Sequence, residues 1–464
     1  MSSRMLARPL QSSAGIMIRS SVMLPRALSL RPMLSLATRS LATAPSPGAR
    51  FGKRAEPEVK LQDLKFDEEL RIATYKTASG TRANVGDFFK APQSFIKALP
   101  DSQLPNGMLR LNRLSDKESS AMLRHSTLDL IEMAEESVEK GLEGKALLVG
   151  KQGSGKTYTL FQLAVHFQSA NWIVIYLPKL SQWTSASSFY YFNESTNQWD
   201  QPELTATVLE SILSMNAKTL AEVKLAEPVQ VGSKKVDDNL ASLVKAGISS
   251  PQHSTLVLQA LFKILKSQSP KVFVALDQVG SLFSSTAYRT PKSEPIMAHE
   301  LSLCHEFQKL FLESSSSKNS FVIGTNDTTV VRIRSPYLQH YARTHVHRPL
   351  GRDPIQAPAQ THEAKFHTLD SAADAMLPSS LAPHHRDAFT ISVVDLKPSI
   401  FTENKVVVCD LPVYSREETA AMLKFYKESS VAHFGFELND HSIKRAHLLT
   451  GGNGRQLMNY IFSH

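Results

Sequence analysis

From about position 145 onward, apolar residues gather in short runs separated by longer amphipathic stretches. The runs at 146–149, 172–177, 272–276, 320–323 and 406–409 are strand-sized and almost free of polar residues. A strand that is apolar at every position is buried on both faces, the situation of a parallel sheet covered by helices on each side. Between the runs, apolar positions recur at helical spacing near 156–169, 202–218, 254–266 and 299–313. This alternation predicts an α/β fold: a doubly wound parallel sheet with right-handed crossovers and a ligand site at the carboxyl ends of its strands.

The flanks read differently. Residues 118–140 carry a helical pattern through Met122, Leu123, Leu128, Leu130, Ile131 and Met133. The stretch 61–105 has an aperiodic apolar group, Phe88, Phe89, Phe95 and Ile96, and is expected to wrap the surface as an N-terminal extension. Residues 229–251 are rich in Lys, Asp and Ser, and 349–398 in Pro, His and Ala; both are expected to be surface insertions or to order on a partner. The C-terminal part predicts a small helical lid. Ser415-Arg416-Glu417-Glu418 has capping-box spacing, Met422, Phe425 and Tyr426 follow at helical intervals, Gly451-Gly452 would stop the second helix, and a last helix would run over 455–462. The expected organisation is a presequence (1–41), an N-terminal extension (42–117), a nucleotide-binding domain (118–410) and the lid (411–464).

Composition narrows this picture. A chain of 464 residues with 42% hydrophobic residues has ample material for a core, while no apolar run approaches the roughly 20 residues that span a bilayer. The two cysteines, Cys304 and Cys409, lie in apolar patterns without metal or redox spacing, and read as buried thiols in a reducing compartment. The net charge of +9 points toward nucleic acid only until its distribution is inspected. Arg4, Arg8, Arg19, Arg26, Arg31 and Arg39 sit among Ser, Ala, Leu and Met with no acid before Glu56, which is the composition of a mitochondrial presequence. Such a segment is drawn to anionic membranes and inward by the matrix-negative potential. Cleavage after Leu41 would remove those six arginines and leave +3.

The strongest chemical signal is Gly150-Lys151-Gln152-Gly153-Ser154-Gly155-Lys156-Thr157, a full G-x-x-x-x-G-K-[ST] between a predicted strand and a predicted helix. Glycines let successive amides turn inward around phosphate, and the helix adds the positive end of its dipole. Lys156 is expected to reach the β- and γ-phosphates and Thr157 to ligate Mg²⁺. The run Val272-Phe273-Val274-Ala275-Leu276 ends at Asp277, where a second carboxylate for the metal is expected. Gln278 follows, where AAA-type ATPases usually place a glutamate; a neutral amide can hold a water but cannot take its proton, so hydrolysis should be slow. Asn326, after the fourth strand, reads either as a γ-phosphate sensor or as a polar turn. Arg455 reads either as a lid arginine closing over phosphate or as a surface residue after a turn. Between Thr328 and Arg352 there is no acid, and Arg332, Arg334, Arg343, Arg348 and Arg352 alternate with Tyr337, Tyr341, His340, His345 and His347, a candidate contact for RNA or ribosomal protein. The histidines, His384 and His385 included, lack metal-site spacing.

Taken together, these residues resemble the death-associated protein family of the mitochondrial small ribosomal subunit, GTP-binding proteins with an AAA-like P-loop core. The resemblance rests on the presequence, Leu147 through Thr157, Trp199-Asp200-Gln201-Pro202, the Asp277 strand and Thr450-Gly451-Gly452-Asn453-Gly454-Arg455, and covers roughly residues 90–464. It implies a structural protein of the mitochondrial ribosome in the matrix, with partners among small-subunit proteins and rRNA, a face toward the large subunit, bound GTP or GDP with Mg²⁺, and in animals a link to cell death. The residues themselves leave the base open: the guanine-reading N-K-x-D motif is absent, so ATP fits as well as GTP. They also leave a second class of function, a free matrix AAA-like switch ATPase acting on protein partners.

Overall fold

Five of the apolar runs form neighbouring strands of one parallel sheet. The computed structural model describes residues 73–74, 85–99, 104–114, 120–313, 319–326, 338, 347–350, 406–429, 431–432 and 436–463. The presequence, most of 328–352 with Arg332, Arg334, Arg343 and Arg352, and the 349–398 insertion beyond residue 350 lie outside the described residues.

The strands, in chain order, are β1 (Ala73–Thr74), β2 (Phe88–Lys90), β3 (Ser120–Met122), β4 (Gly144–Val149), β5 (Ile173–Leu177), β6 (Tyr191–Asn193), β7 (Gln198–Asp200), β8 (Val229–Val231), β9 (Lys234–Val236), β10 (Val272–Leu276), β11 (Ser285–Arg289), β12 (Pro295–Met297), β13 (Ser320–Thr325), β14 (His347–Pro349) and β15 (Val407–Asp410). The main sheet has the order β14-β15-β4-β13-β10-β5, every neighbouring pair parallel. The helices are α1 (Gln93–Ala98), α2 (Asn106–Leu114), α3 (His125–Glu139), α4 (Lys156–Ser169), α5 (Pro202–Glu222), α6 (Leu240–Ser249), α7 (Ser254–Gln268), α8 (Ser302–Leu312), and in the lid α9 (Arg416–Glu428), α10 (Asp440–Thr450) and α11 (Gly454–Ser463). Among the described residues no helix is long and apolar enough to cross a membrane.

Burial on both faces accounts for the unbroken apolar runs. Ile173, Ile175, Val272, Val274 and Leu276 point into a core shared with α5 to α8, while Val174, Tyr176, Phe273 and Ala275 point into a second core shared with α3 and α4. Because side chains alternate along a strand, each run must be apolar at both parities. Both cysteines are buried and unpaired, one in each core. Burial pushes the Cys409 thiol up to about 12 and raises that of Cys304 as well.

Four local readings change. The sixth strand, β14, carries no sequence signal: His347-Arg348-Pro349 has no apolar run and joins the sheet edge by pairing with β15. The 229–251 stretch is not a surface insertion: it forms the β8–β9 hairpin and then α6, whose Leu240, Leu243 and Val244 are fully buried. Asn239 caps α6 by accepting from the Ser242 amide at 2.9 Å. Its apolar set is short and flanked by charge, which hid the period. The continuous helix expected over 118–140 breaks at Arg124, because Ser120–Met122 pairs with Phe88–Lys90 as antiparallel strands and the Leu123 amide bonds Asp87 O at 2.9 Å. Finally, the aromatic group near residue 90 does not stay on the surface. Phe95 is fully buried in the α3–α4 core, edge-on to Phe161 at 5.6 Å.

The lid begins as expected. The Glu418 amide donates to Ser415 Oγ at 3.1 Å and the Ser415 amide to Glu418 Oε2 at 3.0 Å, the two halves of a capping box. Gly451, at φ 56°, ends α10 in the left-handed conformation. The lid carries its own core, which Phe88, Leu111 and Met122 from the N-terminal segment enter alongside Leu423, Tyr426 and Leu457. Phe88 stacks on Phe425 with ring centroids 4.3 Å apart and planes within 4°.

Candidate functional site

The phosphate-loop motif joins β4 to α4 at the carboxyl edge of the main sheet, with α4 starting at Lys156. Gly155 has φ 102° and serves as N-cap, and Gly153 has φ 84°, both costly for a residue with a side chain. At Gly153 a β-carbon would also collide with Asn453 Oδ1 of the lid. Lys156 is buried and its ammonium lies across the loop, donating to Gly150 O at 2.8 Å and Lys151 O at 3.1 Å. Ser154 is fully buried, and its hydroxyl has no hydrogen-bond partner among the described residues.

Thr157 and Asp277, 120 positions apart, meet: Thr157 Oγ1 donates to Asp277 Oδ2 at 2.7 Å. A hydroxyl and a carboxylate beside a glycine-rich cradle make a donor set that suits Mg²⁺ next to phosphate. The other Asp277 oxygen accepts from the Gln278 amide at 3.0 Å and from Thr325 Oγ1. The carboxylate is thus held by its own turn and by the adjacent strand β13. Burial, followed by the Asp277 charge, raises the Tyr176 phenol well above its ordinary value, so that hydroxyl stays protonated. Gln278 itself sits at φ 65°, and its side-chain oxygen accepts from Ser181 Oγ, which anchors the amide toward the turn after β5.

Asn326 is buried, and its backbone amide donates to Leu148 O at 3.2 Å, in β4 two residues before Gly150. The position suits either role open to it. Arg455 is exposed at the start of α11, directly beside the loop. Its neighbours hold it there: the Gly454 amide donates to Gly153 O at 3.0 Å, Asn453 Nδ2 donates to Gln152 O, and Asn453 Oδ1 accepts from the Arg455 and Gln456 amides at 3.1 Å. Gly150, Gln152, Gly153, Ser154, Gly155, Lys156, Thr157, Asp277, Asn326 and Arg455 therefore lie around one loop. Arg348 does not join them: it lies in the edge strand β14 and is exposed.

Sequence reasoning missed Arg124. Its guanidinium is nearly fully buried; Nε and Nη2 donate to the two Glu418 oxygens at 3.0 Å each, Nη1 donates to Ser154 O at 2.8 Å, and Nη2 reaches Pro412 O at 3.0 Å. It also lies 4.7 Å from the centroid of the Tyr414 ring. The local signal is a charged residue after Ala-Met-Leu, inside the 118–140 pattern that predicts one helix. Its partners are 30 and about 290 positions away, beyond any local pattern.

The comparisons with known proteins agree with the resemblance drawn from the motifs. Residues 121–460 match the model of the family described as mitochondrial ribosomal death-associated protein 3. Similar curated proteins include the small ribosomal subunit protein mS29 of Mus musculus, 24% identical over 266 residues, covering 55% of this chain and 67% of that protein. The mS29 of Neurospora crassa is 26% identical over 199 residues (41% of this chain, 42% of that protein), and that of Bos taurus 23% over 202 residues (42% and 51%). The match thus spans about half the length of the fungal and bovine proteins. A solved structure of the Aeropyrum pernix ORC2 protein in its ADP form aligns with 78% of this chain and 64% of its own at 12% identity, with a TM-score of 0.30, too low to carry an argument. With the family model spanning the sheet, the phosphate loop and most of the lid, this chain belongs to the mitochondrial ribosomal death-associated protein 3 family.

Proposed function

We propose that this protein is a structural component of the mitochondrial small ribosomal subunit in the matrix, where it holds a guanine nucleotide with Mg²⁺ as a fixed part of its fold and supports translation. The relatives carry the name of a small-subunit ribosomal protein. One structural observation favours a held nucleotide over a cycling one. The lid above the phosphate loop is tied down from the N-terminal side by the Phe88–Phe425 stack and by the buried Arg124–Glu418 pair. A switch ATPase needs its lid to move with the nucleotide state. Here, opening would expose a shared apolar core and strand a buried carboxylate. A nucleotide bound only by the folded state adds RT ln(1 + [L]/Kd), about 4 kcal/mol at a thousandfold excess over Kd.

Within this reading, Lys156 would neutralise phosphate, Thr157 and Asp277 would hold the metal, and the loop amides would orient the phosphates. Small-subunit proteins and rRNA supply the surroundings, with the large subunit facing it. Bound Mg²⁺ would supply charge neutralisation at the phosphates, and Gln278, whose amide oxygen accepts from Ser181 Oγ, offers no base for a water's proton. Release of phosphate from GTP should therefore be slow, and Gln278→Glu should raise it by supplying a base. A single-turnover assay of the full chain checks this, and an unchanged rate would mean that the missing base is not what limits hydrolysis.

Sedimentation of gently lysed mitochondria tests the assignment as a whole. Co-migration with the small-subunit rRNA, both with Mg²⁺ and after EDTA separates the subunits, is the expected result. A position at the top of both gradients would overturn it in favour of a free switch ATPase. Nucleotide extracted from the small-subunit fraction should be GTP or GDP; adenine nucleotide would correct the base assignment alone.

A further inference from the structure

We infer that Arg124 is a positioning residue for the phosphate loop: it aims the Ser154–Gly155 peptide at the bound phosphate and couples that aim to lid closure through Glu418. The inference rests on the nucleotide reading above.

The argument starts from the peptide plane. Ser154 O and the Gly155 N–H belong to one trans peptide and point in opposite directions. Arg124 Nη1, on a guanidinium anchored by Glu418 and the 412–413 carbonyls, holds the oxygen at 2.8 Å, and the Gly155 N–H is thereby fixed on the opposite side of the peptide from Arg124. Gly155 is at φ 102°, a conformation with no side chain to steer it, so an external contact sets the peptide's rotation. Electrostatic attraction to phosphate is a poor account of Arg124, because its charge is met by both oxygens of Glu418 at 3.0 Å. What remains is geometry. A planar guanidinium presents donors in fixed directions, and here they engage the phosphate loop, the 412–413 linker and the first turn of α9 together.

Glu418 completes the linkage. It is the capping-box glutamate of α9, so the same carboxylate that closes the helix N-terminus receives Arg124. Any lid displacement that withdraws Glu418 pulls on the group that orients the loop. Nucleotide release and lid opening are then one event, and a lysine, with a single ammonium, cannot span the three sites.

Release of a methylanthraniloyl-labelled GTP·Mg²⁺ probe, chased with unlabelled GTP, measures the coupling on the purified full chain, with the adenine analogue run in parallel. Arg124→Lys should speed release on the order of tenfold and reduce hydrogen-exchange protection of the Gly155 amide, as expected for loss of charge-assisted contacts. Glu418→Gln, which keeps the capping box, should speed release in the same direction and serves if the lysine variant folds poorly. Phe88→Leu is the control, loosening the lid's apolar contact without touching Ser154 or Glu418. Wild-type release from both Arg124→Lys and Glu418→Gln would overturn the inference while leaving nucleotide binding intact. An equal loss of Gly155 amide protection in Phe88→Leu at matched loss of Tm would overturn it too, reducing Arg124 to lid stability. Failure of the wild type itself to retain either probe would instead remove the nucleotide reading on which the inference rests.

Discussion

Lys156→Ala is expected to weaken Mg²⁺-nucleotide binding at least about a hundredfold, a change of roughly 2.7 kcal/mol. The Lys156 ammonium is held within the loop, donating to Gly150 O and Lys151 O at 2.8 and 3.1 Å, where arriving phosphate oxygens would meet a full positive charge. A hydrogen bond to a charged partner contributes roughly 1.5–3 kcal/mol, and low solvent access strengthens it. The loop's fold does not depend on that charge to the same degree, since the Ser154 amide bonds Lys151 O at 3.1 Å and Arg124 holds Ser154 O. The variant should therefore lose the thermal stabilisation that nucleotide confers while unfolding near the wild-type temperature without it. Calorimetric titration with Mg·GTP and Mg·ATP provides the measurement. Equal affinity in variant and wild type would sink the phosphate-loop assignment.

The second large effect concerns stability and lies away from the loop. Asn216→Ala is expected to cost about 3 kcal/mol, because two buried backbone groups would lose their partner. The helix α5 leaves helical geometry at Asn216, with φ −126° and ψ 21°, and the side chain turns onto the edge strand β5. There it accepts from the Val174 amide at 2.7 Å and donates to Val174 O at 2.7 Å, imitating a neighbouring strand at the open side of the sheet. A further bond from Nδ2 to Ile212 O at 2.8 Å closes the gap the kink opens in α5. Alanine would recover some helix propensity, worth at most about 0.7 kcal/mol, far less than the loss. Urea unfolding at equilibrium reads the difference, and a cost below about 1 kcal/mol would mean that water replaces the amide at Val174.

The contacts between lid and phosphate loop bear on the proposed nucleotide role. In a machine that works by motion, the lid and the first segment of the domain would be separable bodies. Here Phe88, Leu111 and Met122 sit in the lid's own core, and the phosphate loop touches the lid directly through Gly153 and Gly454. Membership of a mitochondrial ribosomal family accords with the proposed reading, in which a bound nucleotide would stiffen a scaffold.

The sequence by itself determined whatever depends on local periodicity or on a motif whose parts adjoin. The apolar runs marked the strands because burial on both faces demands apolar residues at both parities. The phosphate loop was legible because glycine spacing, the lysine and the threonine are consecutive, and α4 begins at Lys156 as the motif requires. The lid's capping box and the stop at Gly451 were legible for the same reason. Tertiary structure alone decided the rest. Only the parallel register of β4, β13 and β10 brings Thr157, Asp277 and Thr325 to one point. The break at Arg124 came from strand pairing with 88–90, which outweighed a helical pattern. Arg124 with Glu418, Asn216 with Val174 and Phe88 with Phe425 are contacts across long chain separations, each made by a residue whose local surroundings would suit many roles. Their partners are chosen by packing, and packing is a property of the assembled fold rather than of any window of sequence.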